Sequence, residues 1–394
     1  MTAAVHFEDR SRGLPSPKEL GLKTRIVVEG TAAADVGLRT LAASIVAATF
    51  APFALSRRSM LEERKHLAFY ADLVDAADPE RSFPGPKGAI EMQARQVIGI
   101  PGTPDGGRIE SLRFKSPFEA VNPAVRDRYA GHRRNATAHA QHWRHGEDGR
   151  PTLIVVHGFM GSPYWFNSAF FSLPWFYSKG WDVLLFTLPF HGGRRDRRRE
   201  PYSGYGYFAN GLAHVHEAMA QAMCDLRVLM DHLEGQGVEQ MGITGLSLGG
   251  YTTALLASVE PRLAFAIPNS AVSETSSLIR GWFPAGQLID LAMRARHVPR
   301  EELDRAMASH SPLSYAPLVP KDRRFIIAGL GDRLAPPSQS EALWEHWDRC
   351  RLHWFPGNHV LHVNRGRYLR EMGSFLRDIG MPIDDPPERV PTEP

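Results

Sequence analysis

The feature that most constrains the fold is a short glycine-rich segment, Gly245–Gly249, which reads Gly-Leu-Ser-Leu-Gly. An apolar run, Met241–Thr244, comes directly before it, and residues with helical spacing, Leu248–Val259, follow it. Such a segment is typical of a sharp turn between a strand and a helix, where small residues let neighbouring backbone come close. The turn would hold the Ser247 hydroxyl above the sheet, beside the positive end of the helix dipole. We therefore predict a nucleophilic serine; the alternative is a packing turn with an incidental serine.

Two later segments supply an acid and a base for this serine, whose hydroxyl is a weak nucleophile until a base removes its proton. Phe325–Ala328 leads into a glycine-rich turn with Asp332, and Leu352–Phe355 leads into a loop with His359. Parallel strands end at one edge of a sheet, so we expect His359 beside Ser247 as general base, oriented by Asp332. The weaker candidates are Asp322 and Asp348 for the acid, and His353 and His362 for the base.

The loop that follows the apolar run Leu153–Val156 is the predicted source of oxyanion stabilisation, which requires two N–H donors. One donor is expected from the backbone of Leu248, directly after the nucleophile. The other is expected from Phe159, with Met160 as the second choice. His157, at the start of this loop, is expected to brace neighbouring loops rather than to take part in the reaction.

Short apolar runs alternate with helical stretches from residue 151 onwards, which predicts a mostly parallel sheet flanked by helices. The predicted strands are Leu153–Val156, Val183–Leu188, Met241–Thr244, Ala264–Pro268, Arg324–Ala328 and Leu352–Phe355. The predicted helices are Tyr164–Lys179, Tyr207–Gly235, Leu248–Val259 and Ser338–Cys350. The insert 270–321 is longer than a simple crossover and has two helical patterns of its own, Ala285–His297 and Arg300–His310, which suggest a cap.

The first 150 residues have a different pattern. Residues 1–33 are expected to form an arm, and Asp35 is expected to cap a helix that runs to Phe50. The remaining predictions are a helix over Ser59–Ala76, two antiparallel strands over Gln96–Ile100 and Arg108–Phe114 joined by turn residues 101–107, and a polar helix over Ala124–Arg144. We thus divide the chain into an N-terminal helical extension that could include the first strands (1–150), a catalytic domain (151–380) and a tail (381–394).

Over about residues 151–380 the sequence resembles the α/β-hydrolase superfamily. The resemblance rests on four segments in the family's order: the loop at His157, the turn at Ser247, the turn at Asp332 and the loop at His359. The resemblance implies a Ser-His-Asp triad, a helical cap at 270–321 and acyl-bond hydrolysis through an acyl-enzyme. Leu188–Gly192 is similar to the corresponding loop of lipase-like, esterase-like and dienelactone-hydrolase-like members. Ser247 departs from the cysteine of true dienelactone hydrolases and from the aspartate of dehalogenases and epoxide hydrolases.

Candidate substrate-binding residues are Met160 and His191 on loops at the same sheet edge, and Trp282 and Phe283 in the insert. They would line an acyl pocket, although packing of the cap on the body is the alternative. The basic run Arg194–Arg199 could bind an acidic group or phospholipid headgroups, and a solvated loop is the alternative.

Several classes of cofactor and partner have no support. The chain has no Walker motif and no G-x-G-x-x-G after a strand, so we expect no nucleotide cofactor. His139, His142 and His145 recur every third residue without a completing cysteine or carboxylate cluster, so we expect no metal. Lys and Arg number 46 against 43 Asp and Glu, a net charge of +3, which does not favour nucleic acid as a partner.

The compartment follows from cysteine use and apolar stretches. The two cysteines, Cys224 and Cys350, imply no disulfide framework, and Met1–Lys18 has no secretory pattern, so we predict a cytoplasmic protein. The apolar stretch Leu41–Leu55 is shorter than a bilayer span and is expected to be a packed helix, with peripheral membrane contact as the alternative.

The sequence thus predicts a serine hydrolase that acts on a small-molecule acyl substrate, with a carboxylic ester as first choice and no cofactor. The alternatives are a membrane-peripheral lipid or thioester hydrolase or acyltransferase, and a non-catalytic binding protein on the same fold. The oligomeric state is left open.

Overall fold

The computed structural model describes residues 13–16, 19–75, 78–98, 107–161, 163–295, 297–363 and 365–383. The strands are β1 (Gln93–Val97), β2 (Arg108–Lys115), β3 (Thr137–Arg144), β4 (Thr152–Val156), β5 (Asp182–Thr187), β6 (Met241–Leu246), β7 (Leu263–Asn269), β8 (Phe325–Gly329) and β9 (Arg351–Phe355). The helices are α1 (Leu22–Leu55), α2 (Arg57–Asp75), α3 (Pro79–Ser82), α4 (Arg126–Ala130), α5 (Tyr164–Phe170), α6 (Leu173–Ser178), α7 (Tyr205–Ala209), α8 (Leu212–Gly235), α9 (Leu248–Val259), α10 (Thr275–Arg280), α11 (Ala285–Arg294), α12 (Arg300–Ala308), α13 (Pro337–His346) and α14 (Arg365–Asp378).

The strands form one sheet with the order β1-β2-β3-β5-β4-β6-β7-β8-β9. From β5 to β9 all neighbours are parallel, whereas β1, β2 and β3 pair antiparallel. Every residue of β4, β5, β6 and β8 is buried, because helices cover both faces of this part of the sheet. The predicted mixed α/β fold with a mainly parallel sheet is confirmed.

The sheet extends further towards the N-terminus than the apolar runs after residue 151 indicate. The predicted antiparallel pairing is present as β1 and β2, but β1 begins three residues before the predicted strand, and residues 99–106, the end of that strand and most of the predicted turn, lie outside the described residues. The predicted helix Ala124–Arg144 is wrong, since only Arg126–Ala130 is helical and Thr137–Arg144 is a strand. Small buried residues, Ala138 and Ala140, alternate there with polar ones, and pairing with β2 and β5 satisfies both backbone edges.

The N-terminal helix is longer than predicted. It begins at Leu22 within the expected arm and runs to Leu55, so Asp35 lies in its middle and the predicted capping role is wrong. The Asp35 carboxylate instead accepts hydrogen bonds from backbone N–H groups of other loops. By length and composition, Leu22–Pro52 could cross a membrane, yet a third of its apolar window is buried inside the protein.

Two predicted helices are interrupted at residues with left-handed or extended backbone. The predicted helix Tyr164–Lys179 splits into α5 and α6 at Ser172, which has a φ of 54°. The predicted helix Tyr207–Gly235 splits into α7 and α8 at Gly211, which has a φ of 96°. The insert between β7 and β8 has three helices, α10, α11 and α12, and α11 packs against α1 at the contact of Ala285 with Ala43 and Val46.

A buried ion pair anchors the loop after β5 to the long helix α8. Arg194 and Asp225 are both fully buried, and the guanidinium Nη2 lies 2.8 Å from the Asp225 carboxylate. Arg194 also donates hydrogen bonds to the carbonyl oxygens of Asn135 and Thr187. The first arginine of the predicted basic run is therefore structural, and Arg197–Arg199 are the exposed ones.

Candidate active site

Ser247 lies on a strained turn between β6 and α9. Its φ of 57° and ψ of −114° belong to a region that non-glycine residues rarely occupy. The turn is held from both sides, because the Ser247 N–H donates to the Asn269 carbonyl at 3.0 Å and the Ser247 carbonyl accepts from the Tyr251 N–H at 2.8 Å. The strain is thus fixed by the neighbouring strand and by the first turn of the helix.

Three glycines permit the close packing around this turn. A Cβ on Gly245 would overlap the Gly249 carbonyl oxygen, and a Cβ on Gly249 would overlap the Val156 carbonyl oxygen at the end of β4. A Cβ on Gly158 would lie 3.5 Å from the Ser247 Cβ. The loop after β4 therefore lies directly against the serine, and the overlaps at Gly245 and Gly249 explain why these two positions require glycine.

Asp332 and His359 form a buried hydrogen-bonded pair. The His359 Nδ1 lies 2.7 Å from the Asp332 Oδ2, and the two residues are 5% and 1% exposed. The second carboxylate oxygen, Oδ1, accepts from the backbone N–H groups of Leu334 at 3.0 Å and Ala335 at 2.8 Å. These bonds fix the carboxylate, so the His359 Nδ1–H donates to it and Nε2 is left as the basic nitrogen.

The electrostatic surroundings favour a protonated His359. Burial by itself lowers the pKa of His359, but the charge of Asp332 and its hydrogen bond more than offset this, and the charge of Asp35 adds to their effect. The pKa of His359 is therefore raised above its ordinary value. A base of this kind can accept a proton from a hydroxyl and hold it as a stabilised imidazolium.

The parallel order of the strands brings Ser247, Asp332 and His359 to one sheet edge. β6, β7, β8 and β9 are neighbours, and the loops after β8 and β9 are joined by a 2.7 Å hydrogen bond from the Gly331 N–H to the Gly357 carbonyl. The three predicted site residues follow β6, β8 and β9 respectively, at the carboxyl ends of these strands.

The weaker candidates for acid and base lie elsewhere. His353 is within β9, and the His362 ring packs against the rings of Phe355 and Phe170. Asp348 pairs with Arg324, and Asp322 lies in a short turn before β8. The acid–base contact that the structure describes at this edge joins Asp332 to His359.

The predicted oxyanion donors lie on the two segments that meet at Ser247. Leu248 is the first residue of α9, so its N–H has no acceptor within the helix. Phe159 follows Gly158, the residue that lies against the serine. Met160 has a φ of 65° and its side chain is exposed.

His157 lies beneath this loop and braces it. Its Nδ1 lies 2.7 Å from the Gly158 carbonyl, and its Nε2 accepts from the Leu188 N–H at 3.2 Å. Burial lowers the pKa of His157 to about 4, so the ring is neutral with its proton on Nδ1. The side chain thus joins the loops after β4 and β5.

An apolar cavity of about 90 Å³ adjoins Ser247. The cap, α8, α9 and α1 all contribute to its wall, which consists of Val46, Phe159, Tyr207, Phe208, Leu212, Val215, Ser247, Leu248, Tyr251, Val272, Thr275, Leu278, Ile279, Trp282, Met307, His310 and Leu334. Of the four predicted substrate-binding residues, only Trp282 belongs to this wall. Phe283 is mostly exposed, Met160 faces solvent, and His191 is buried behind the Phe159 ring.

Sequence reasoning missed the contribution of α1 to this edge. Val46 lines the cavity, and the Asp35 carboxylate lies against the loops of Asp332 and His359. The one signal in the sequence is an acidic residue within a stretch of small and apolar residues, Thr31–Leu38. That signal does not specify which loops the carboxylate contacts.

The described residues contain no group of three or more histidine, cysteine or acidic residues arranged to hold a metal ion. His139 and His142 are three residues apart in β3, so their side chains point to opposite faces of the sheet. His145 follows the end of the strand. His142 is buried, and the His145 ring stacks on Tyr177 and pairs with Asp182.

A family model described as "Alpha/beta hydrolase domain containing 18" matches residues 105–282. The matched range includes the turn at Ser247 and ends at Trp282, so Asp35, Asp332 and His359 lie outside it.

Two curated relatives are similar in sequence. Protein Rv2627c of Mycobacterium tuberculosis (strain ATCC 25618 / H37Rv) and protein MT2702 of Mycobacterium tuberculosis (strain CDC 1551 / Oshkosh) are each 35% identical over 240 residues. The alignment covers 59% of this chain and 55% of each relative. The chain thus spans about half the length of the curated relatives it matches.

Two solved structures share the architecture. Acetyl xylan esterase from Paenibacillus sp. R4 has a TM-score of 0.52 at 15% identity, with 79% of this chain and 94% of that chain covered. Acetyl xylan esterase 1 from Thermoanaerobacterium sp. JW/SL YS485 has the same TM-score at 14% identity, with 79% and 93% covered. The sheet order and the turn after β6 agree with the likeness in fold and with the family model over residues 105–282, so the chain has the α/β-hydrolase fold.

Proposed function

We propose that the protein is a serine hydrolase that cleaves carboxylic esters through an acyl-enzyme. The observation that carries the proposal is the buried 2.7 Å pair of His359 and Asp332 at the sheet edge where Ser247 lies on its strained turn. Buried acid–base pairs next to a fixed hydroxyl are typical of nucleophilic catalysis.

In the proposed reaction, the Ser247 Oγ attacks the acyl carbon while its proton passes to the His359 Nε2. The backbone N–H groups of Leu248 and Phe159 stabilise the oxyanion. His359 then gives the proton to the departing alkoxide, and the ester C–O bond breaks. Water then attacks the acyl-enzyme while His359 takes its proton. The bond between the acyl carbon and the Ser247 Oγ breaks, His359 returns the proton to Ser247, and the carboxylic acid is released.

The apolar cavity beside Ser247 supports an apolar acyl or alcohol group in the substrate. Its wall has the aromatic rings of Phe159, Phe208 and Trp282, and these favour hydrocarbon over charged groups. A series of p-nitrophenyl esters of increasing acyl length would measure the size of this pocket.

Labelling with a fluorophosphonate probe tests the proposal. We expect labelling of the wild type and none of Ser247→Ala. Ser258→Ala is the matched control, because Ser258 is a buried serine on the same helix whose hydroxyl donates to the Ala254 carbonyl. Absence of labelling in folded wild type would favour a non-catalytic binding protein, and equal labelling of Ser247→Ala would refute Ser247 as the nucleophile because another residue would then be reacting.

A second candidate function, a hydrolase of membrane lipids, is favoured by exposed apolar side chains at the same edge. Met160 follows Phe159, Trp165 and Phe166 project from α5, and Val360 and Leu361 follow His359. Aromatic and aliphatic side chains in such positions are typical of surfaces that enter the bilayer interface.

Co-sedimentation with anionic vesicles separates the two candidates. The lipid-hydrolase candidate predicts that Trp165→Ala and Leu361→Ser weaken vesicle binding. Ile98→Ser is the control, since Ile98 is apolar and even more exposed than Trp165 and Leu361 but follows β1 at the far end of the sheet. If all three variants bound vesicles as the wild type does, the lipid-hydrolase candidate would be refuted and the hydrolase of small esters would remain.

A further inference from the structure

One carboxylate of the N-terminal helix lies between the loops that carry the acid and the base. Asp35 is fully buried, and its Oδ2 accepts from the backbone N–H of Arg333 at 2.6 Å and from that of His359 at 3.4 Å. The Leu334 N–H lies at 3.3 Å from the same oxygen. A single oxygen of Asp35 therefore contacts the residue after Asp332 and the base itself.

Neighbouring contacts hold the same stretch of α1 against both loops. The Asn358 side-chain amide donates to the Thr31 carbonyl at 2.9 Å. A Cβ on Gly331 would lie 2.8 Å from the Thr31 Oγ1 and 2.9 Å from the Val28 carbonyl oxygen. The helix therefore packs directly on the residues that precede Asp332 and His359.

The charged groups that face Asp35 are Asp332 and His359. Burial raises the pKa of Asp35; the hydrogen bond from Arg333 offsets this only in part, and the charge of Asp332 raises the pKa further. Among the described residues, Asp35 Oδ1 has no hydrogen-bond partner. A buried carboxylate beside another carboxylate is costly for folding alone, and such arrangements concentrate at functional sites.

We propose that Asp35 is a positioning residue for the hydrolytic reaction, which fixes the backbone of the Asp332 and His359 loops and stabilises the imidazolium by its charge. The inference rests on the proposed function. Helix α1 lies outside residues 105–282, the range that the family model matches. The inference gives this helix a part in the reaction in addition to its contribution to the cavity wall. The proton still moves between Ser247 and His359 only.

Three variants test the inference: Asp35→Ala, Asp35→Asn and the control Glu29→Gln. Glu29 is an exposed acid on the same helix that pairs with Arg25. Measurements are kcat and KM on a p-nitrophenyl ester, the pH profile of kcat/KM, the rate of fluorophosphonate labelling, and the downfield proton resonance of His359 Nδ1–H.

For Asp35→Ala we expect a kcat lower by about 10- to 100-fold at little-changed KM, the size of effect that small misplacement of a catalytic group produces. Asp35→Asn keeps an oxygen that can accept from both N–H groups, so it should recover most of kcat. Because it lacks the charge, its acid limb of kcat/KM should move to lower pH by at least about 0.3 unit, the effect of a unit charge ~10 Å away in an aqueous dielectric. Glu29→Gln should leave kcat, the acid limb and the resonance unchanged.

The positioning role would be overturned if folded Asp35→Ala had a kcat within twofold of the wild type and the acid limb of Asp35→Asn did not move. In that case Ser247-dependent labelling would still support the proposed hydrolase. If Asp35→Ala does not fold, Asp35→Asn alone tests the positioning role. A pH profile of kcat/KM and a His359 Nδ1–H resonance like those of the wild type would then overturn that role. A wild type that the probe does not label would overturn the hydrolase and this role together.

Discussion

The buried pair of Arg194 and Asp225 allows a prediction of stability. We consider Arg194→Met, which keeps the length of the side chain and removes its charge. Both partners are fully buried, and the ion pair is 2.8 Å long. Without Arg194, the Asp225 carboxylate would stay buried with the Ser116 hydroxyl, at 2.5 Å, as its remaining described hydrogen-bond partner.

The magnitude follows from these contacts. Breaking a buried ion pair by removal of one partner costs about 3–5 kcal/mol, because the other charge is left uncompensated. The Thr187 carbonyl also loses a donor, whereas the Asn135 carbonyl keeps its bond from the Gln221 amide at 3.3 Å. We therefore expect Arg194→Met to lower the free energy of unfolding by about 4 kcal/mol.

Urea unfolding followed by tryptophan fluorescence measures this loss. Arg198→Met is the control, because Arg198 belongs to the same basic run but is exposed, and its replacement should change the free energy by less than about 0.5 kcal/mol. A double variant, Arg194→Met with Asp225→Asn, should recover part of the loss, since no charge is then left buried. Equal effects of Arg194→Met and Arg198→Met would refute the reasoning.

Three further predictions concern the site and its surroundings. His359→Ala and Asp332→Asn should each lower kcat by about 10³-fold or more in folded protein, measured with p-nitrophenyl butyrate, and near-wild-type turnover of His359→Ala would contradict the assignment of the base. Trp282→Ala should enlarge the cavity, so the kcat/KM ratio of decanoate to butyrate ester should rise by about tenfold, and an unchanged ratio would place the acyl group elsewhere. Burial raises the pKa of Glu63 from 4.5 to about 7, so the folded state prefers the protonated form. Its contribution to stability is therefore present at low pH and is lost as pH rises through about 7. Wild type should lose up to about 3 kcal/mol between pH 5 and 8 from this group, and urea titrations should show a smaller loss for Glu63→Gln.

The sequence predicted that the three candidate site residues share one sheet edge because each of them follows a short apolar run and a glycine-rich turn. Ser247, Asp332 and His359 could be placed together from strand order alone, since parallel strands end at one edge. The proposed roles need only this local pattern and the topology that it implies.

What the sequence did not predict depends on contacts between distant segments. β3 was misread as a helix because two of its buried positions, Ala138 and Ala140, are alanines among polar residues, and alanine favours helices when pairing is ignored. Asp35 was read as a cap because its partners lie about three hundred residues further along the chain. His191 was expected in the pocket, but it packs against the Phe159 ring and is not part of the cavity wall, and this depends on side-chain packing that spacing does not encode.

The docking of α1 on the loops after β8 and β9 has a consequence for synthesis. The helix leaves the ribosome long before residues 330–360 are made, so the part of it around Thr31 and Asp35 lacks its partners in these two loops during most of translation. Val28 and Asp35 would be exposed together on the nascent chain until the last two strands join the sheet. The candidate site therefore cannot be complete before residue 359 is made, and a nascent chain paused before residue 330 would have the Ser247 turn but neither Asp332 nor His359, nor the two loops on which the first helix packs.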